Sequence, residues 1–174
     1  MTPKNTGPKP WDLFVRTFHW LLAIAFLTNA LFVDEESKLH EYLGYAVLGL
    51  LGLRVVWGFV GPKRVRFSAF PLSIKGSMEH LRAMFYREPT DAHASHSPLG
   101  AVMVYNLLIS LFLLGATGYM MTTTTFWGYE WVEDIHEFLS NWVLFSIVVL
   151  VVGIIFESKR TKSNLTKSMI GGNS

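Results

Sequence analysis

Cysteine is absent from this chain of 174 residues. Its absence rules out disulfides, thiolate zinc sites, Cys-held iron–sulfur clusters and covalent c-type haem attachment. Charge is scarce as well: 16% of residues are Asp, Glu, Lys or Arg, against 51% hydrophobic and 14% aromatic. A soluble domain of this size needs more charge to solvate its surface, so composition alone points to a membrane protein. The net charge is only +2, and the bases are grouped by segment rather than spread over one face. That leaves nucleic acid without support as a partner. The first ten residues are polar and include three prolines. They match a cleaved signal peptide poorly, so the first apolar run is expected to stay as a span.

Long apolar runs are what the chain has in abundance. Four segments, at about 11–33, 42–60, 99–121 and 132–156, suit a hydrocarbon core that takes about 20 apolar residues to cross. No charge lies between Arg16 and Asp34 or from Leu99 to Met121, and the second run carries one, Arg54. Buried helices of a soluble protein are the alternative, but four such runs leave no polar faces for solvent. The expected fold is an all-α membrane protein, a four-helix transmembrane bundle forming one domain over 1–174. A short amphipathic helix is expected at about 73–87, where Ile74, Met78, Leu81 and Phe85 recur opposite Lys75, Arg82 and Arg87. Such a helix lies in the membrane interface against anionic headgroups; docking of a soluble partner is the other reading. Residues from Pro89 to Pro98 read as a loop, and the polar tail after Lys159 as partly disordered.

Charge placement sets the orientation. Lys4, Lys9 and Arg16 precede the first span; Lys63, Arg64, Arg66, Lys75, Arg82 and Arg87 lie between the second and third; Lys159, Arg160, Lys162 and Lys167 follow the fourth. The other two connections hold Asp34, Glu35, Glu36, Glu130, Glu133 and Asp134, with Lys38 as their single base. Basic segments stay inside, so both termini are expected in the cytoplasm.

Within that frame two near-identical pentapeptides stand out, Leu39-His40-Glu41-Tyr42-Leu43 and Ile135-His136-Glu137-Phe138-Leu139. Each sits at the mouth of an even-numbered span, behind an acidic loop. Those spans run parallel, which puts His40 and His136 at the same depth. Two imidazoles converging inside an apolar bundle suit the two axial positions of a haem iron. A lone histidine here would more often be a hydrogen-bonded interfacial residue; the matched pair favours the haem. Glu41 and Glu137 point about 100° around their helices, away from a shared metal, toward water or a positively charged partner.

His19 lies at the opposite depth. Arg54 follows His40 by fourteen residues, near the same helical face and about 21 Å deeper. Arg16, His19 and Arg54 could form a second pocket in which the arginines pair with haem propionates. Interfacial anchoring by Arg16 and a structural ion partner for Arg54 are the plain alternatives. Gly44, Gly49, Gly52, Gly115, Gly118 and Gly153 thin the span walls, as either a cofactor or close helix packing would require. His80, His93 and His96 fall in the cytoplasmic connection, where solvation is expected.

Taken together these positions resemble the bacterial four-helix cytochrome b family: the b-561-like proteins and the b-type subunits of membrane hydrogenases and formate dehydrogenases. The matching pieces are Arg16-x-x-His19-Trp20, His40-x-x-x-Gly44, Arg54-x-x-Trp57-Gly58-Phe59, Gly61-Pro62-x-x-x-Arg66-Phe67, His96-Ser97-Pro98-Leu99-Gly100, His136-Glu137-Phe138-Leu139, Gly153, Asn164-Leu165 and Met169-Ile170. The resemblance implies electron transfer between the quinone pool and a partner redox protein, such as a c-type cytochrome or an oxidoreductase subunit, in the bacterial inner membrane. It implies b haems, the outer one on His40 and His136. The inner one would use His19 and a fourth-span histidine fourteen residues beyond the first. That position is Leu150 here, and the asparagine often found at the start of the third span is Ser97.

The reading is therefore a membrane-embedded b-type cytochrome, an electron-transfer protein rather than a stand-alone enzyme, with haem b and a quinone as expected small partners. A membrane anchor or recruiting subunit of a redox complex, with part of the haem path lost, is the alternative. A proton-moving transporter is weaker, because no carboxylate lies well inside a span. Orientation is open to a direct check. Reporter fusions at Lys38 and Glu130 should be active as periplasmic fusions, and cytoplasmic activity at either would reverse the assignment.

Overall fold

A hydrocarbon environment offers the backbone no water, so each crossing segment must satisfy its own N–H and C=O groups as a helix. The computed structural model describes residues 13–63, 66–69, 76–78, 82 and 98–161. It contains α1 (Leu13–Phe32), α2 (Lys38–Val60), α3 (Pro98–Thr122) and α4 (Glu130–Thr161), with a 3-10 turn at Phe67–Ala69. Four helices are long and apolar enough to cross a membrane: Phe14–Phe32, Lys38–Val60, Gly100–Thr122 and Glu130–Phe156. No strand occurs among the described residues, and the protein is an all-α membrane bundle. Of the interfacial helix expected at 73–87, only 76–78 and Arg82 are described, and these are helical. The rest of it lies outside the described residues, as do His80, His93, His96, most of the Pro89–Pro98 loop and the tail from 162.

The helix ends follow local chemistry, and two begin earlier than their apolar runs. α2 starts at Lys38 rather than near 42. Ser37 is its N-cap, with φ −79° and ψ 147°, and accepts the His40 backbone N–H at 3.2 Å. Asp34 builds the turn before it: its side chain accepts the Glu36 N–H at 2.9 Å and its carbonyl accepts the Ser37 hydroxyl at 2.7 Å. That tight turn makes α1 and α2 antiparallel. α4 starts at Glu130 rather than 132, with Glu130 and Glu133 in its first turn, where the helix dipole favours carboxylates. Gly128, at φ +80°, supplies the left-handed residue of the α3–α4 turn. α2 stops at Val60, where the Gly61 N–H bonds the Trp57 carbonyl at 2.9 Å and Pro62 cannot continue the helix. α3 opens on Pro98, a residue suited to the first helical position.

Packing runs in sequence, α1 on α2, α2 on α3 and α3 on α4, while the diagonal pair α2 and α4 shares little direct packing. One buried cluster joins all four: Phe18, Leu22 and Phe26 from α1, Val47 and Leu51 from α2, Leu111 and Leu114 from α3, and Val143 from α4. These are narrow stripes. Only 11–22% of each apolar window is buried inside the bundle, and the outward Leu21, Ile24, Val56, Ile109, Phe112, Val148 and Val152 are exposed. Lipid is the environment that covers such a surface.

Three glycines are fixed by neighbours. A Cβ on Gly58 would enter the Phe67 ring, one on Gly115 would enter Leu48, and one on Gly118 would lie 3.0 Å from His136 Cε1. At Gly44, Gly49, Gly52 and Gly153 a Cβ would meet nothing within 4 Å, so close helix contact does not explain those four. Gly58→Val is expected to cost about 1–3 kcal/mol by overpacking, whereas Gly52→Ala should be neutral or stabilising by up to about 1 kcal/mol. Thermal unfolding in detergent distinguishes them, and equal midpoints would contradict the packing described.

Candidate functional site

Ser37 capping does more than start α2: it fixes His40 in the first turn, level with the acidic end of the bundle. His136 lies in the second turn of the parallel α4. The structure brings their rings together, with centroids 6.3 Å apart and planes inclined by 69°. Both side chains are part-buried. α2 and α4 share little backbone contact, and the two rings meet across that diagonal.

The tautomer of His136 follows from its partners. Its Nδ1 lies 3.1 Å from the Leu114 carbonyl oxygen, which can only accept, so Nδ1 carries the proton. The Thr117 hydroxyl is 3.0 Å from the same nitrogen, and its own proton is engaged by the carbonyls of Leu113 and Leu114 at 3.1 and 2.9 Å. Nε2 is thereby left with its lone pair. An imidazole whose far nitrogen donates to a backbone carbonyl is the usual form of a metal-binding histidine. Gly118 clears the space beside Cε1. His40 Nδ1, in contrast, is buried and has no hydrogen-bond partner.

Glu41, next to His40, is exposed and accepts the Tyr45 hydroxyl at 2.8 Å. That hydroxyl is also 3.1 Å from Thr122 Oγ1 and ties α2 to the end of α3. Glu137 is exposed too. Neither carboxylate joins the histidine pair, as the helical offset predicts.

The other end of the bundle is organised differently. Arg54 is 8% exposed and stacks over the Phe67 ring, 5.2 Å from its centroid. Phe67 also meets Phe59 at 5.4 Å and Tyr105 at 5.9 Å, and the Tyr105 hydroxyl donates to its carbonyl at 3.3 Å. Arg66 Nε donates to the Gly61 carbonyl at 2.6 Å and pins this return segment to the end of α2. His19 is exposed, its ring 6.0 Å from that of Trp20; Arg16 and Leu150 are half-buried. Val47, Leu51 and Val143 fill the interior between the His40 and Arg54 levels.

The model for prokaryotic cytochrome b561 matches residues 10–172, nearly the whole chain. The chain belongs to the prokaryotic cytochrome b561 family. Neither the curated proteins nor the solved structures gave a match. A cytochrome b561 is a membrane b-type cytochrome in electron transfer and binds b-type haem, so this chain is a multi-pass membrane protein of that class.

The residues present fit a haem at the His40–His136 end. Two imidazole nitrogens, each about 2 Å from one metal, place their ring centres about 6 Å apart, close to the separation seen. Among the described residues no group of three or more His, Asp or Glu could hold a metal ion. Two imidazoles are too few donors for an all-protein transition-metal site, whereas a porphyrin contributes the remaining four.

The sequence singled out His40, His136 and Gly118 but gave no sign of Leu114 and Thr117 as partners of His136, or of Phe67 as the partner of Arg54. Leu114 acts through its carbonyl, which leaves no trace in residue type. Thr117 stood in plain view as a hydroxyl between two glycines of a charge-free run.

Proposed function

We propose that this cytochrome b561 carries electrons through a single haem b held by His40 and His136, between the quinone pool and a partner redox protein on the acidic side. The apposition of the two rings at 6.3 Å is the observation that supports the reading most. A haem bound there supplies a one-electron couple. His40 and His136 would hold the iron through their ring nitrogens, and a haem ligated by two imidazoles would serve electron transfer rather than oxygen chemistry. Leu114 and Thr117 fix the ring of His136, and Gly118 gives it room.

The inner level is read as lacking its haem. Leu150 stands where His19 would need its counterpart, and a leucine side chain has no donor atom. Arg54 has the Phe67 ring over it instead. A cation over an aromatic face is worth about 0.5–2 kcal/mol, so Phe67 offsets part of the cost of holding Arg54 within a span. The base-rich segments support a cytoplasmic side for both termini and for this level. The acidic end then faces outward, where Asp34, Glu35, Glu36, Glu130, Glu133 and Asp134 are exposed and favour a basic redox partner.

Two experiments check the reading. His40→Ala and His136→Ala should each remove the low-spin haem spectrum or convert it to a five-coordinate one, while His93→Ala leaves it unchanged. An unaltered spectrum in both ligand variants would sink the assignment. Leu150→His should raise haem content, by pyridine haemochrome assay, from one to two per polypeptide. Two haems already present in the unaltered protein would refute the single-haem reading.

A further inference from the structure

The two histidines differ in one respect that their repeated sequence context hides. His136 Nδ1 has a backbone acceptor; His40 Nδ1 is buried without any partner. A histidine that binds iron through Nε2 carries its proton on Nδ1, and that N–H needs an acceptor in an environment without water.

Asn29 supplies one. This amide on α1, one turn beyond the buried Phe26, donates through Nδ2 to the His40 carbonyl oxygen at 3.2 Å. Its other end, Oδ1, is buried and unpartnered. Three buried side-chain polar atoms among the described residues lack a partner: Asn29 Oδ1, His40 Nδ1 and Trp57 Nε1. Two of them belong to residues already joined by a hydrogen bond, and their chemistry is complementary, an amide oxygen and a ring nitrogen. Trp57 Nε1 is a donor and lies near the far end of α2, so it satisfies neither. Asn29 is also the sole amide side chain in the charge-free run from Thr17 to Val33. Thr17 and Thr28, which share that run, are exposed, whereas Asn29 is half-buried.

We propose that Asn29 Oδ1 accepts the Nδ1–H of His40 when His40 Nε2 binds the haem iron, so that Asn29 does for His40 what the Leu114 carbonyl does for His136. The proposal rests on the reading of His40 and His136 as iron ligands. Asn29 is a positioning residue: it fixes the ring orientation and tautomer of His40, and its anchored amide pulls on the Nδ1 proton. That pull strengthens the imidazole as a donor and favours ferric over ferrous iron.

The test measures haem affinity and midpoint potential in purified, haem-loaded Asn29→Leu, Asn29→Asp and His40→Ala proteins of the full chain. Asn29→Leu removes the acceptor, so haem affinity should fall about 10- to 100-fold. Its potential should rise, and a tenfold preferential weakening of the ferric form reads as about 59 mV. Asn29→Asp keeps an acceptor while removing the donor to the His40 carbonyl. It should retain haem and lower the potential. If Asn29→Asp instead behaves like Asn29→Leu, the amide works through its donor alone and the proposal is overturned. Wild-type potentials in both variants overturn it equally. Should Asn29→Leu fail to fold, Asn29→Asp decides by itself: a lowered potential supports the role, an unchanged or raised one refutes it. His40→Ala separates the two levels of the argument. An unaltered low-spin spectrum there removes His40 as a ligand, whereas its loss beside an indifferent Asn29→Leu refutes only the role of Asn29.

Discussion

A hydrocarbon layer about 30 Å thick admits only helices that satisfy their own backbone, and the rest of this structure depends on that constraint. Four spans with short turns at one end must alternate in direction, so α2 and α4 run parallel. Parallel helices entered through similar acidic loops carry similar residues at similar depth. The meeting of His40 and His136 is thus a consequence of topology before it is one of packing. Their separation of 6.3 Å is set across the diagonal of the bundle, where the two helices scarcely touch.

The bundle is polarised in chemistry as well as in charge. Its acidic end gathers nitrogen donors and their supports: two imidazoles, the Leu114 carbonyl, Thr117 and the amide of Asn29. Its basic end gathers a cation and aromatic rings, with Arg54 over Phe67 and Phe67 against Phe59 and Tyr105. Between them lies the apolar cluster of Phe18, Leu22, Val47, Leu51, Leu111 and Val143. Further support comes from Asn106, whose amide donates to the buried Ser146 hydroxyl at 2.9 Å and accepts from Trp142 Nε1 at 3.2 Å, fastening α3 to α4 within the spans. A polar clamp of this kind holds helices where the hydrophobic effect cannot, because lipid is as apolar as the helix faces.

The spans were legible because hydrophobic length and charge-free runs are one-dimensional signals, and the histidine pair because the sequence repeats its context. Helix starts were less so: Ser37 and the acidic residues after Tyr129 begin α2 and α4 ahead of their apolar runs, through caps and dipole terms that hydropathy ignores. The supports of the site were the least visible. The acceptor for His136 is a main-chain carbonyl, identical in every residue. Phe67 matters because the turn just after α2 folds it back onto Gly58, and hydropathy does not record that contact. The glycines divide, since Gly58, Gly115 and Gly118 meet a neighbour whereas Gly44, Gly49, Gly52 and Gly153 face open space.

The proposed function depends on one haem per chain, held by His40 and His136. Electron paramagnetic resonance of the oxidised, purified protein tests it most directly. A single low-spin ferric signal is expected, of the strongly anisotropic type that steeply inclined imidazole planes produce, integrating to one spin per polypeptide. A dominant high-spin signal, or two low-spin haems per chain, would contradict it.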